Sequence, residues 1–138
     1  MRTKLWTLSL ALAAGCGESL TPEDLIGTYV ATEFTITLNS VPHDLLAGGA
    51  TVTLELESGG TTSGAFHLPI TSGVNVTPID DDLTGTFILR NGVVRLTQQA
   101  DTYIKDFLFV AAGGQLRASQ VIQSPTVTGN LRLVLSRQ

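Results

Sequence analysis

Residues 87–96, Phe-Ile-Leu-Arg-Asn-Gly-Val-Val-Arg-Leu, place Asn91-Gly92 between two alternating segments. A two-residue type I′ turn needs positive φ at both central positions, and Asn-Gly accepts this more readily than other pairs. Pairing outward from the turn sets Leu89 against Val94, Phe87 against Leu96 and Ile88 against Arg95. Apolar residues then meet across one face, and a slip of one residue would break every such pair. The stretch predicts an antiparallel hairpin with one buried face.

The same period of two extends in both directions. Upstream, Thr51 to Glu57 alternates with Val52, Leu54 and Leu56 apolar, and after the turn Ser58-Gly59-Gly60-Thr61 the segment Thr62 to Ile70 carries Phe66, Leu68 and Ile70 on one face. Pro69 marks a strand end or edge. Gly27 to Asn39 reads as a long strand with Val30, Phe34, Ile36 and Leu38 toward the core and Tyr29, Glu33, Thr35 and Thr37 on the other face. Before it, Thr21-Pro22-Glu23-Asp24 has the cap, proline and acid of one helical turn. Ser40 to Gly49 and Thr71 to Asp82 break the alternation, the first with Leu45-Leu46 as a small apolar flap. Downstream, Tyr103 to Ala112 is apolar on both parities, so that strand is covered on both faces or meets a partner. Gly113-Gly114 turns into Gln115 to Ile122, and a last strand runs from Val127 to Ser136.

The pattern predicts an all-β fold of about eight antiparallel strands, as an up-and-down barrel or as a two-sheet β-sandwich. Closure into a barrel would remove unpaired edges, whereas the two long connections could serve a sandwich as crossovers. With Cys16 the only cysteine, no disulfide braces the domain, which must stand on its apolar core.

The first residues follow a different logic. Arg2 and Lys4 precede a run without ionisable groups from Leu5 to Ala14, followed by Gly15 and Cys16. This is a secretory layout, too short for a permanent membrane helix. Residues 1–15 are read as a signal peptide, 16–24 as a lipidated tether with a short helical turn, and 25–138 as the barrel domain. Without the leader, six basic residues face twelve acidic ones, a formal charge of −6, which speaks against nucleic acid and against direct adhesion to anionic lipid.

Ala13-Ala14-Gly15-Cys16 resembles the lipobox of bacterial lipoproteins. The resemblance implies a diacylglycerol on the Cys16 thiol, cleavage after Gly15, and a protein of the cell envelope. The family's sorting tendency with Gly17, not Asp, after the cysteine implies the outer membrane. Ala11-Leu12-Ala13 also fits ordinary signal cleavage, which would release a soluble protein. The helical turn before Gly27-Thr28-Tyr29, the strand count and a late arginine, Arg132 or Arg137, resemble the lipocalin-type barrels. In that family an aromatic residue of the first strand packs against the late arginine beneath the closed barrel end. Tyr29 stands here where the family has Trp, and the family's Thr-Asp-Tyr is absent.

No catalytic constellation emerges, so the chain reads as non-enzymatic. His43 and His67 sit on separate segments without cysteine nearby, Asp80-Asp81-Asp82 lacks calcium-loop spacing, and the paired glycines precede strands, not helices. No metal or other cofactor is implied. Phe34, Leu54, Phe66, Phe87, Phe107 and Phe109 are the candidate lining of an apolar cavity, or the filling of a solid core, since an eight-stranded barrel is of the size that permits either. The expected function is therefore an anchored envelope lipoprotein that binds a small apolar or lipid-like ligand. The alternative is a filled barrel that binds an envelope protein through Ser40 to Gly49 and Thr71 to Asp82.

Overall fold

A computed structural model describes residues 19–74, 76–123 and 128–138. The expected leader 1–15, Cys16 and residues 17 and 18 of the expected tether lie outside the described residues. A 3₁₀ turn (Pro22–Leu25) leads into β1 (Gly27–Leu38), followed by β2 (Val41–Asp44), β3 (Thr51–Leu56), β4 (Thr61–Leu68) and β5 (Ile79–Asp82). Then come β6 (Gly85–Arg90), β7 (Val93–Gln98), a second 3₁₀ turn (Tyr103–Asp106), β8 (Leu108–Ala112), β9 (Gln115–Gln123) and β10 (Thr128–Arg137).

Strands β1, β3, β4, β6, β7, β8, β9 and β10 are hydrogen-bonded in that order, and β10 pairs back onto β1. The ring is thus a closed eight-stranded antiparallel up-and-down barrel of lipocalin-like arrangement, and closure rules out the sandwich. The two remaining strands are flaps. β2 pairs with the second half of β1, whose first half pairs with β3. β5 pairs with the second half of β4, whose first residues pair with β6. The two connections read as irregular therefore each contain a short outer strand.

The hairpin at Asn91-Gly92 has the expected positive φ values, 50° and 75°, and the expected register of Phe87 with Leu96, Ile88 with Arg95 and Leu89 with Val94. Strand β4 changes partners midway, from β6 at Thr61–Thr62 to β5 from Ala65 onward. At that point Gly64 has φ 126°, and a Cβ there would lie 2.0 Å from the Thr53 carbonyl oxygen, so only glycine lets β3 and β4 approach this closely.

Strand β1 departs from the expected parity. Tyr29 is buried at 1% exposure while Val30 is not, and from Phe34 onward the expected face points inward. The cause is a bulge: Ala31 pairs with Leu135 and Glu33 with Val134, leaving Thr32 as the extra residue. Its hydroxyl lies 2.8 Å from that of Ser136, a local substitute for the interrupted ladder. Two further expectations change. Ile70 is 80% exposed because β4 ends at Leu68 before Pro69. Tyr103 to Asp106 forms a turn instead of the start of a strand, which points both Ile104 and Phe107 inward at a spacing of three.

Candidate functional site

The six residues expected to line a cavity do converge in the barrel interior. Phe34 on β1, Leu54 on β3, Phe66 on β4, Phe87 on β6 and Phe107 and Phe109 at β8 belong to one apolar cluster. Phe34 and Phe66 meet edge to face with centroids 5.9 Å apart, and Phe107 and Phe109 do so at 5.7 Å. Leu54, Phe66 and Phe109 have no exposed surface, Phe34 and Phe107 have 1%, and Phe87 has 5%. Water reaches almost none of the surface of these side chains. The interior they form is packed.

Little polar chemistry enters this core. Thr62 is buried and its hydroxyl donates to the Leu83 carbonyl at 2.7 Å, which also accepts from Gln98 Nε2 at 3.0 Å. Thr102, likewise buried, reaches Gln98 Oε1 at 3.4 Å. Among the described residues no buried side-chain nitrogen or oxygen is left without a partner, so none is held in reserve for a ligand.

One end of the barrel is closed by the first 3₁₀ turn. The backbone N–H and hydroxyl of Thr21 both donate to Asp24 Oδ2 at 2.8 Å, which fixes the turn and, through the backbone bond first and the hydroxyl second, holds the Asp24 carboxyl below its usual range. Leu25 plugs the end, and the Tyr29 hydroxyl donates to its carbonyl at 2.9 Å. Burial raises the Tyr29 pKa, and the positive charge of Arg137 partly offsets this. Arg137 pairs with Tyr29 in the ladder and donates from Nη1 to the Asp24 carbonyl at 3.0 Å and from Nη2 to the Ile26 carbonyl. A Cβ on Gly27 would come within 2.8 Å of Arg137 Nε, so the missing side chain makes room for the guanidinium. Of the two late arginines, Arg137 occupies the place beneath the closed end. Arg132 faces outward and pairs with Glu33 at 2.9 Å.

The histidines stay apart from any metal geometry. His67 Nδ1 lies 3.7 Å from Asp80 Oδ1 across the β4–β5 pair, and His43 is on β2. Among the described residues no three His, Cys, Asp or Glu side chains are grouped to hold a metal ion. Cys16, the expected lipid-attachment residue, lies outside the described residues.

The outer surface holds what the site prediction missed. Leu108 and Val110, apolar on the parity opposite Phe109, point away from the core and are 54% and 55% exposed, with Arg95 and Arg117 close by in the ladder. The signal for them was present in the double-parity apolar run from Tyr103 to Ala112. No protein-family model matches this chain, and no curated protein matches it in sequence.

Proposed function

We propose that this chain is a non-enzymatic lipoprotein of the bacterial cell envelope, in the outer membrane, held by lipid on Cys16 and acting through the outside of a filled barrel to bind another envelope component. The observation that supports this most is the packed interior: the side chains best suited to line a ligand cavity instead bury one another, at 0 to 5% exposure. A barrel whose inside is occupied by its own residues has its outer face and its flaps, β2 and β5, left for recognition. The short leader and Ala13-Ala14-Gly15-Cys16 support the address.

The second reading is a small apolar ligand among Phe34, Leu54, Phe66, Phe87, Phe107 and Phe109. In its favour, all six belong to one connected apolar cluster inside a closed barrel. To admit a ligand of even ~300 Å³ they would have to separate. Native mass spectrometry of the protein extracted from its own membranes distinguishes the two. The first reading expects the mass of the lipidated polypeptide alone, and a noncovalent small molecule retained in stoichiometric amount would replace it with the second. Cell fractionation of Cys16→Ser tests the anchor: the variant is expected in the soluble fraction with an unchanged fold, and continued membrane residence would refute attachment through Cys16.

A further inference from the structure

Two arcs of the barrel wall differ in charge, and β10 between them carries the outward Arg132, paired with Glu33 of β1. Strands β1 to β5 carry Glu33, Asp44, Glu55, Asp80, Asp81 and Asp82 and no Lys or Arg, whereas β6 to β9 carry Arg90, Arg95 and Arg117 and no Asp or Glu. The register gathers these arginines around one apolar patch. Ile88 pairs with Arg95 and Arg95 with Leu108, while in the next outward row Arg90 pairs with Val93, Val93 with Val110 and Val110 with Arg117. Ile88, Leu108 and Val110 are each more than half exposed, at 51%, 54% and 55%. A groove of about 250 Å³ runs between Ile88, Arg90, Val93, Arg95 and Leu108.

These guanidinium groups are not engaged as the other cations are. Arg132 is paired with Glu33 and Lys105 with Asp101, but among the described residues no carboxylate lies within 4.0 Å of Arg90, Arg95 or Arg117. Arg95 shares a shallow cleft with Lys105 and Asp106, and Arg90 shares another with Glu23 and Glu57. Arg117 is steadied instead by Gln115 Oε1, which accepts from its Nε at 2.9 Å. Arginine suits a surface that is apolar below and anionic above, since its stem lies along hydrocarbon and its weakly hydrated head binds phosphate oxygens.

The position of the tether selects the occupant. Leu20 lines the same small cleft as Ala112, Gly113, Gly114 and Gln115, the turn from β8 to β9. Cys16 precedes Leu20 by four residues, at most ~14 Å of extended chain. A lipid on Cys16 therefore keeps this corner close to the bilayer, and Val110 and Arg117 lie next to that corner, each two residues from the turn segment. We propose that the outer face of β6 to β9 docks on the anionic lipid surface of the membrane that holds the chain, with Arg90, Arg95 and Arg117 on lipid phosphates and Ile88, Val93, Leu108 and Val110 at the headgroup boundary. This rests on the lipid-anchor reading. The acidic strands β1 to β5, with both flaps, then face away from the membrane, toward any partner. A negative surface also repels that acidic side, so it turns the barrel as well as holding it.

The test uses the mature lipidated protein in vesicles of phosphatidylcholine alone or enriched in phosphatidylglycerol. An environment-sensitive fluorophore is placed through Leu108→Cys, or through Glu55→Cys on the acidic side. In phosphatidylglycerol vesicles the Leu108→Cys label is expected to shift to the blue and to be quenched several-fold more by lipid-borne quenchers than the Glu55→Cys label. Added salt and the combined Arg90→Gln, Arg95→Gln and Arg117→Gln variant should remove the difference while the protein still floats with the vesicles. Flotation with equal quenching of both labels overturns the docking face and leaves the anchor standing. Failure to float overturns the anchor and the docking face together. A Leu108→Cys label that is buried at high protein concentration without vesicles assigns the face to a second copy, and equal burial in neutral and anionic vesicles removes the arginines' role; both overturn the proposal.

Discussion

Replacing Phe66 with Ala probes the packed interior, the feature on which the choice between the two functional readings turns. Phe66 has no exposed surface, pairs with Val52 across β3 and β4, and meets the Phe34 ring edge-on with an interplanar angle of 64°. The surrounding strands are hydrogen-bonded around the whole ring, so the walls cannot collapse far into the space the ring leaves. Truncations of this kind cost about 3–5 kcal/mol, the sum of lost transfer energy and a residual cavity. Loss of the aromatic pair, worth about 0.5–1.5 kcal/mol, places Phe66→Ala in the upper half of that range. At roughly 4 °C per kcal/mol for a domain of this length, the melting temperature should fall by roughly 15–20 °C. Urea unfolding and thermal melts measure the loss. The new hole should also take a small apolar probe such as benzene, which raises the melting temperature of the variant and not of the parent. A loss below about 1.5 kcal/mol, or an equal benzene response in the parent, would mean that the interior already contains space and would refute the reasoning.

Three other perturbations, one of them with a control, address the closed end, the close approach of β3 and β4 at Gly64 and the surface carboxylates. Tyr29→Phe removes the hydroxyl that donates to the Leu25 carbonyl at 2.9 Å, leaving a buried acceptor without that partner, and should lower stability by about 1–3 kcal/mol in urea titrations. An unchanged midpoint would show that the end of the barrel is wet. Gly64→Ala drives a Cβ to 2.0 Å from the Thr53 carbonyl oxygen, so β3 and β4 must part and the protein should be recovered insoluble or severely destabilised. Gly59→Ala meets nothing within 4 Å and should cost only about 1–2 kcal/mol, from its positive φ. Asp24, Glu57 and Asp82 are each held below the ordinary carboxylate pKa, by the Thr21 backbone and hydroxyl, by the hydroxyls of Ser63 and then Thr61, and by the Thr84 backbone and hydroxyl respectively. A folded-state pKa below the unfolded one gives stability that is present above the unfolded value and lost as pH falls through the folded one. The melting temperature should therefore hold from neutral pH to about 5 and decline below about 4, and Asp24→Asn, Glu57→Gln and Asp82→Asn together should flatten that decline. A melting temperature that rises on acidification would contradict the assignment.

The hairpin at Asn91-Gly92 was legible because one dipeptide specifies both the turn and the register, and the alternation on either side agrees with it. The inward face of β1 was not, because Tyr29, Val30 and Ala31 place apolar atoms on both parities and the choice between them is made elsewhere. Arg137 and the 3₁₀ turn draw Tyr29 under the closed end, Phe34 belongs opposite Phe66, and a bulged residue at Thr32 is what allows both. Neither Arg137 nor Phe66 is local in sequence to the residue it positions. The turn before β8 left a fainter local trace. Ile104 and Phe107, both buried, are three apart, a spacing that a 3₁₀ turn satisfies and a strand cannot.

The candidate surface was hidden by an average. A formal charge of −6 over residues 16–138 is a sum, and a sum is silent on whether the basic residues are dispersed among acidic ones or set apart from them. Here the register of successive hairpins sets them apart: Arg90, Arg95 and Arg117 come from three strands and become neighbours only through the β6–β7, β7–β8 and β8–β9 pairings. Alternation can say that Leu108 and Val110 leave the core side of β8, but an outward leucine covered by another layer and one that waits for a partner are the same letter in the same pattern. The ladder separates the two cases. With no further layer of the described chain over them and arginines beside them in both rows, their exposure is a property of the isolated barrel, and an apolar surface bordered by unpaired guanidinium groups calls for an anionic counterpart with hydrocarbon beneath it.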